Sequence, residues 1–227
     1  MRILYIVGFL AVCVVTVFLC TSPAFALDKI KIYVEGEAGG SFTDFESRGW
    51  NTQGPHANTG EKSDKSAVAG MRLGAQLLDF LRADIGYTYR GCLGFTTNSY
   101  QPPTPTFFYR THINNTNTVM FSLFLEPVHF KKFTPYIGAG VGSTWMKGYT
   151  NDTLVGGSSS QTNFSWQGET GIQYGLTDRI SLKLGYRYVD MGNLKINLYH
   201  LGTGASAGDY KGKLTANEVI FGVRYNF

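Results

Sequence analysis

From residue 29 onward, apolar side chains recur at every second position in short segments, separated by polar stretches rich in Gly, Asn and Ser. A period of two marks a β-strand with one oily face and one wet face. The last segment, 214–227, shows it plainly. Val219, Phe221, Val223, Tyr225 and Phe227 share one face, while Glu218, Gly222, Arg224 and Asn226 share the other, with Ile220 as the exception. Seven further segments alternate in the same way: 29–42, 67–77, 81–90, 117–126, 134–145, 163–174 and 179–189. In 81–90, Leu81, Ala83, Ile85, Tyr87 and Tyr89 oppose Arg82, Asp84, Gly86, Thr88 and Arg90.

The connections carry the next step. Segments 43–65, 91–115, 146–161 and 190–213 read as loops of about 16 to 25 residues, whereas 78–80, 127–133 and 175–178 are tight turns. Long and short connections alternate, and both chain ends fall on the side of the short ones. The final oily face runs about ten residues, the length a tilted membrane-crossing strand needs. Eight such strands in this order predict an all-β fold, an eight-stranded antiparallel transmembrane up-and-down β-barrel. The Gln101-Pro-Pro-Thr-Pro105 run cannot sit inside a sheet and belongs to the second loop.

Residues 1–26 stand outside the pattern. A short positive start at Met1-Arg2, an apolar run over 3–20 and a small-x-small Ala24-Phe25-Ala26 site predict a secretory signal peptide, with Ala24 and Ala26 as the cleavage positions and the barrel over 27–227. Cys13 and Cys20 leave with it, so Cys92 remains alone and no internal disulfide can form. Composition adds weight: 28 glycines, 15% aromatics and only 16% charged residues. After the leader, no uninterrupted apolar run is long enough for a membrane helix, and a chain of this kind can still span a membrane as a closed barrel. The net charge of +4 is scattered, without the basic stripe a nucleic acid needs.

Candidate chemistry lies on the wet faces, which in a membrane barrel line the interior. They carry Glu35, Glu37, Arg72, Arg82, Asp84, Arg90, Glu126, Glu169, Lys183, Arg187, Glu218 and Arg224. Unpaired buried charge is costly, so a lumen charge network is expected. In it Glu169 lies near Lys183, and Glu218 and Arg224 face the glutamates of the first strand. An eight-stranded lumen is just wide enough for side chains to fill, which disfavours a wide pore. No catalytic, metal or cofactor site is predicted. His56, His112, His129 and His200 are dispersed, and the Gly138-Ala-Gly140-Val-Gly142 run lies in a strand with no helix after it.

Three stretches, PYIGAGVG at 135–142, LGYRYVDMG at 184–192 and the terminal FGVRYNF, resemble the OmpA-like and opacity-protein family of small bacterial outer-membrane barrels. The resemblance implies an outer-membrane location and surface-exposed, variable loops. It also implies that Tyr225 and Phe227 form the barrel-assembly signal. The implied partners are outer-membrane lipid and lipopolysaccharide, the barrel-assembly machinery and host surface molecules. Some barrels of this size modify lipid A with a His-x-Ser pair, but here Leu201 and Gly202 follow His200. The expected role is therefore structural and non-enzymatic, with adhesion or host contact through four long extracellular loops. The aromatic and proline residues of the second loop (Tyr100, Pro102, Pro103, Pro105, Phe107, Phe108, Tyr109) would supply a contact surface. A small porin-like channel for ions or small solutes is the alternative.

Overall fold

The computed structural model describes residues 30–50, 57–60, 63–100, 107–128, 130–151 and 154–227. The signal-peptide reading with Ala24 and Ala26, the positions of His56 and His129, and 101–106 of the second loop lie outside the described residues.

Ten strands follow one another: β1 (Lys31–Trp50), β2 (Ala57–Gly60), β3 (Ser63–Leu78), β4 (Leu81–Arg90), β5 (Leu93–Tyr100), β6 (Phe107–Leu125), β7 (Phe133–Asn151), β8 (Val155–Gly175), β9 (Ile180–His200) and β10 (Ser206–Asn226). All pairings are antiparallel. The order β6-β4-β3-β1-β10-β9-β8-β7 returns to β6, so eight staves close into a ring. First and last strands meet at the closing seam, Tyr33 opposite Asn226 and Glu35 opposite Arg224. The two additional strands are broken ends of staves. β5 carries β4 onward past Gly91-Cys92 and takes over its place beside β6, and β2 pairs with β5.

The predicted strands are present, but most of them run further than the alternation alone suggests. The loops expected over 43–65, 91–115, 146–161 and 190–213 are mostly strand. At the distal end 201–205 remain outside the strands, and 51–56, 101–106 and 152–153 lie outside the described residues. The reason is a second core. In these extensions Phe45, Leu93, Phe95, Ile113, Met146, Leu194, Ile196, Leu198, Tyr210 and Leu214 are buried together. Burying that much apolar surface stabilises strands that stand in water rather than lipid.

The lower half of the wall faces outward with its oily side, as expected. Met71 is 65% exposed and Phe221 61%, with Leu73, Ile85, Leu123, Ile137, Ile172 and Leu184 around the same band. At its upper edge, tyrosine hydroxyls find polar partners on the neighbouring stave. Tyr87 donates to Asn117 (2.6 Å), Tyr89 to Asn115 (2.9 Å) and Tyr186 to Asn217 (2.6 Å). An amphipathic ring with its polar tip satisfied is what a membrane–water boundary selects.

Three irregularities sit between the two halves: the Gly91-Cys92 break, a bulge between Asn114 and Thr116 in β6, and Met191, the unpaired extra residue in β9. Each inverts the faces. Below Met191, the even residues Leu182, Leu184 and Tyr186 point out; above it, the even residues Leu194, Ile196 and Leu198 point in. The same happens to the odd residues of β4 and β5 (Ile85 and Tyr87 out, Leu93 and Phe95 in) and of β6 (Phe121 and Leu123 out, Ile113 in). One residue of slip moves a whole strand face, so a single bulge suffices.

The wall has one mended seam. β8 and β9 pair at Gly156/Tyr199 and again at Trp166/Asp190, but not between. Side-chain amides substitute for the missing ladder. Gln161 accepts from the Lys195 N–H (3.3 Å) and donates to the Lys195 carbonyl, and Asn163 donates to the carbonyls of Asn193 (2.8 Å) and Met191 (3.3 Å). An amide offers a donor and an acceptor together, as a strand backbone does.

Candidate functional site: the filled lumen and the distal rim

The lower lumen is a lattice of charge. Six cations (Arg72, Arg82, Arg90, Lys183, Arg187, Arg224) and six carboxylates (Glu35, Glu37, Asp84, Glu126, Glu169, Glu218) are buried on inward positions. Nearest the periplasm, Arg82 Nε lies 2.6 Å from Glu126 Oε1, and its guanidinium lies 3.9 Å from the centre of the Phe124 ring. Arg224 grips Glu35 with Nε (3.0 Å) and Nη2 (2.8 Å). At mid-height Lys183 Nζ contacts Glu35, Glu37 (3.1 Å) and Glu169 (3.2 Å). Arg72 bridges Glu37 (3.0 Å) and Glu169 (2.6 Å). Higher still, Arg187 joins Glu37 (2.6 Å) to Glu218 (2.7 Å), and Arg90 closes on the other Glu218 oxygen at 2.5 Å.

Glu169 meets Lys183 at 3.2 Å, with Lys183 reaching it from opposite Gln173 and Arg187 standing directly opposite it. One partnership differs from the sequence expectation. Glu218 stands opposite Ser41 of β1, not a glutamate, and both its oxygens are taken by arginines of other staves. Two guanidiniums thus compensate the buried Glu218 charge. Tyr33 and Tyr136 were missing from the expected set. Tyr33 donates to Asp84 (2.8 Å) and accepts from Arg82 (3.1 Å), and Tyr136 donates to Glu169 (2.9 Å). Tyr33 alternates in phase with Glu35 and Glu37, which was the available signal; nothing local distinguished Tyr136.

Above the charges the lumen turns dry. Thr118, Thr144 and Ser165 form a hydroxyl belt, linked at 3.0 and 2.7 Å, and Arg90 donates into it at 2.8 Å. Over this belt lies the apolar plug. Phe45 stacks on Phe95 with ring centroids 5.4 Å apart and tilts toward Tyr210 at 5.7 Å. Gly212 is glycine because its missing Cβ would fall inside the Phe45 ring. This plug was not anticipated.

Outside the plug the wall is polar. Asp209 accepts from Lys211 (2.9 Å) and Lys195 (3.2 Å), and the Lys211 hydrogen bond lowers its carboxyl below the ordinary range. Lys213 meets Asp190 at 2.8 Å. Cys92 is exposed, its Sγ 3.5 Å from Asn115 Oδ1. At the chain end, Tyr225 and Phe227 form an edge-to-face pair 5.1 Å apart, and the Phe227 N–H closes on the Ile32 carbonyl at 3.0 Å. Among the described residues, no three His, Cys, Asp or Glu side chains converge as a metal site.

An eight-stave ring with an oily belt outside and paired charge within defines an integral β-barrel of the bacterial outer membrane. The chain belongs to the outer membrane protein beta-barrel domain family, whose profile matches residues 11–227. It is 28% identical to outer membrane protein PagN of Salmonella typhimurium over 97% of this chain and 99% of that one. It is 26% identical to a candidate adhesin of Rickettsia felis over 73% and 76% of the two chains. Among solved structures it resembles the Escherichia coli outer membrane protease OmpT, with a TM-score of 0.56 and 11% identity over 91% and 99% of the two chains. At that identity the likeness shows the fold alone.

Proposed function

We propose that this barrel is a non-enzymatic surface-contact protein, binding host surface molecules through its distal rim. The observation that carries the reading is the pairing of a filled lumen with an apolar rim above it. The tips of hairpins β7–β8 and β9–β10 are tied together, with the Leu201 N–H on the Leu154 carbonyl at 2.9 Å and Val155 opposite His200. They hold Leu154 (60% exposed), Leu201 (64%) and Tyr199 (49%) in the open. Apolar side chains clustered on a rigid, water-exposed rim favour a protein partner. The likeness to a candidate adhesin supports the same reading. Contact is thus made by the short, braced tips of these two hairpins, where long loops were first expected.

The test is attachment of bacteria expressing the protein to cultured epithelial cells. Leu154→Asp with Leu201→Asp is expected to reduce attachment to the level of cells lacking the protein. The same variant should still show different gel mobility before and after boiling, the sign of a closed barrel. Attachment equal to wild type would refute the rim as the contact surface.

Tyr225 and Phe227 are proposed as the signal read by the barrel-assembly machinery. Deleting Phe227 is expected to lower outer-membrane levels severalfold while signal cleavage proceeds normally. Wild-type surface levels after the deletion would remove that role.

A further inference from the structure

The periplasmic turn between β6 and β7 is a tight, basic corner. Phe130 and Phe133 exchange both backbone hydrogen bonds, each 2.8 Å, so Lys131 and Lys132 form a two-residue loop. Lys131 adopts φ 52°, a left-handed conformation that is uncommon for a residue with a side chain. The Gly175 N–H holds the Lys132 carbonyl at 2.8 Å, which fixes the turn against β8. Two adjacent ammonium groups are therefore presented on a rigid corner. Among the described residues neither meets a carboxylate; Lys132 lies 5.9 Å from the centre of the Tyr174 ring.

The corner borders the oily belt. Phe130 (62% exposed) and Phe133 (50%) flank the lysines, and with Tyr174 they line an open groove of about 610 Å³. Two residues from Tyr174 along β8, Ile172 stands opposite Pro135 and is exposed on the outer wall. Unpaired positive charge at the headgroup level, directly beneath an aromatic and aliphatic track, complements a molecule with a phosphate at one end and a hydrocarbon chain at the other.

We propose that the Lys131-Lys132 turn is a binding site for an acidic phospholipid of the inner leaflet, phosphatidylglycerol. The lysines hold the phosphate, and Phe133 and Tyr174 cover the first part of the acyl chain. A basic pocket at the edge of a transmembrane surface is a known form of anionic headgroup recognition, and each lysine near the surface strengthens it about fivefold. The proposal rests on the outer-membrane location and is independent of what the distal rim contacts.

The experiment is native mass spectrometry of the purified full-length mature barrel, equilibrated in detergent with equal amounts of phosphatidylglycerol and phosphatidylethanolamine. Wild type is expected to retain phosphatidylglycerol preferentially. Lys131→Gln with Lys132→Gln should lose this preference, roughly fivefold per lysine. Lys131→Arg with Lys132→Arg should keep it, and Lys195→Gln with Lys211→Gln, on the distal wall, should leave it unchanged. Boiling-dependent gel mobility confirms that each variant is folded. Equal retention of the two lipids by wild type, or undiminished preference in the double Gln variant, would overturn the site. So would displacement of the lipid by glycerol phosphate at equal concentration, which would make the ligand a free phosphate.

Discussion

Lys183→Ala is expected to destabilise the folded barrel by about 3–5 kcal/mol, read as a large drop in the urea midpoint for unfolding from lipid vesicles. Lys183 is fully buried and its ammonium is shared by Glu35, Glu37 and Glu169. Removing it leaves six carboxylates against five cations in a lumen with little water to screen the excess. The proper control is Lys195→Ala. That lysine also touches a carboxylate, Asp209 at 3.2 Å, but half of its side chain is in solvent. An exposed pair of that kind contributes about 0–1 kcal/mol. In planar bilayers wild type should be nearly silent, because charges fill the lower lumen and the plug closes the upper one, while the Lys183 variant leaks. A steady, large conductance from wild type would make the protein a channel. A Lys183 variant as stable as the Lys195 variant would show that the lattice has slack the contacts do not suggest.

Phe45→Ala should have an effect of similar size, about 3–5 kcal/mol, confined to the other half of the molecule. The ring is buried against Phe95 and Tyr210 and lies over Gly212, so truncation opens a cavity that rigid strands cannot close. Hydrogen exchange separates the halves. Amides of Leu194, Ile196 and Leu198 are expected to exchange much faster in the variant, while Leu182, Leu184 and Tyr186 remain protected by the membrane and the charge lattice. Unchanged protection at Leu194–Leu198 would mean that the distal strands do not depend on the plug.

The membrane half of the barrel was legible because three independent signals agreed there. Alternation gave the strands, the short turns gave their order, and the charges of the wet faces gave the lumen. The distal half was not legible, for two physical reasons. Residues 155–162 (Val-Gly-Gly-Ser-Ser-Ser-Gln-Thr) have little intrinsic strand preference and no oily face. They are strand because β7 pairs with them from Gly156 onward, a tertiary effect that no local window contains. Where alternation does persist, as at Leu194, Ile196 and Leu198, it gives the period and not the direction. The even-numbered apolar series runs on through β9 with the same phase, and only the extra residue at Met191 turns it from lipid to core. The charge network was readable as a set, since every member lies on a wet face. Its pairings were not, because contacts across the lumen join staves far apart in sequence, such as Arg72 of β3 and Glu169 of β8.

The same three irregularities give the protein a waterline. If the barrel sank by one strand repeat, Asn193 and then Lys195, both outward-facing just above Met191, would be pressed toward the acyl layer. A lysine on the outer wall costs about 0–1 kcal/mol at the interface and about 2–4 kcal/mol at the bilayer centre, so sinking is opposed with increasing force. If it rose, Leu184 and Tyr186 would be lifted into water, and the tyrosine–asparagine anchors would leave the boundary they mark. On these three staves soluble-facing and lipid-facing wall meet at a fixed height, because the backbone changes sides there. In a bilayer of unsuitable thickness, then, the lipid must thin or thicken around the protein. The barrel keeps its draught.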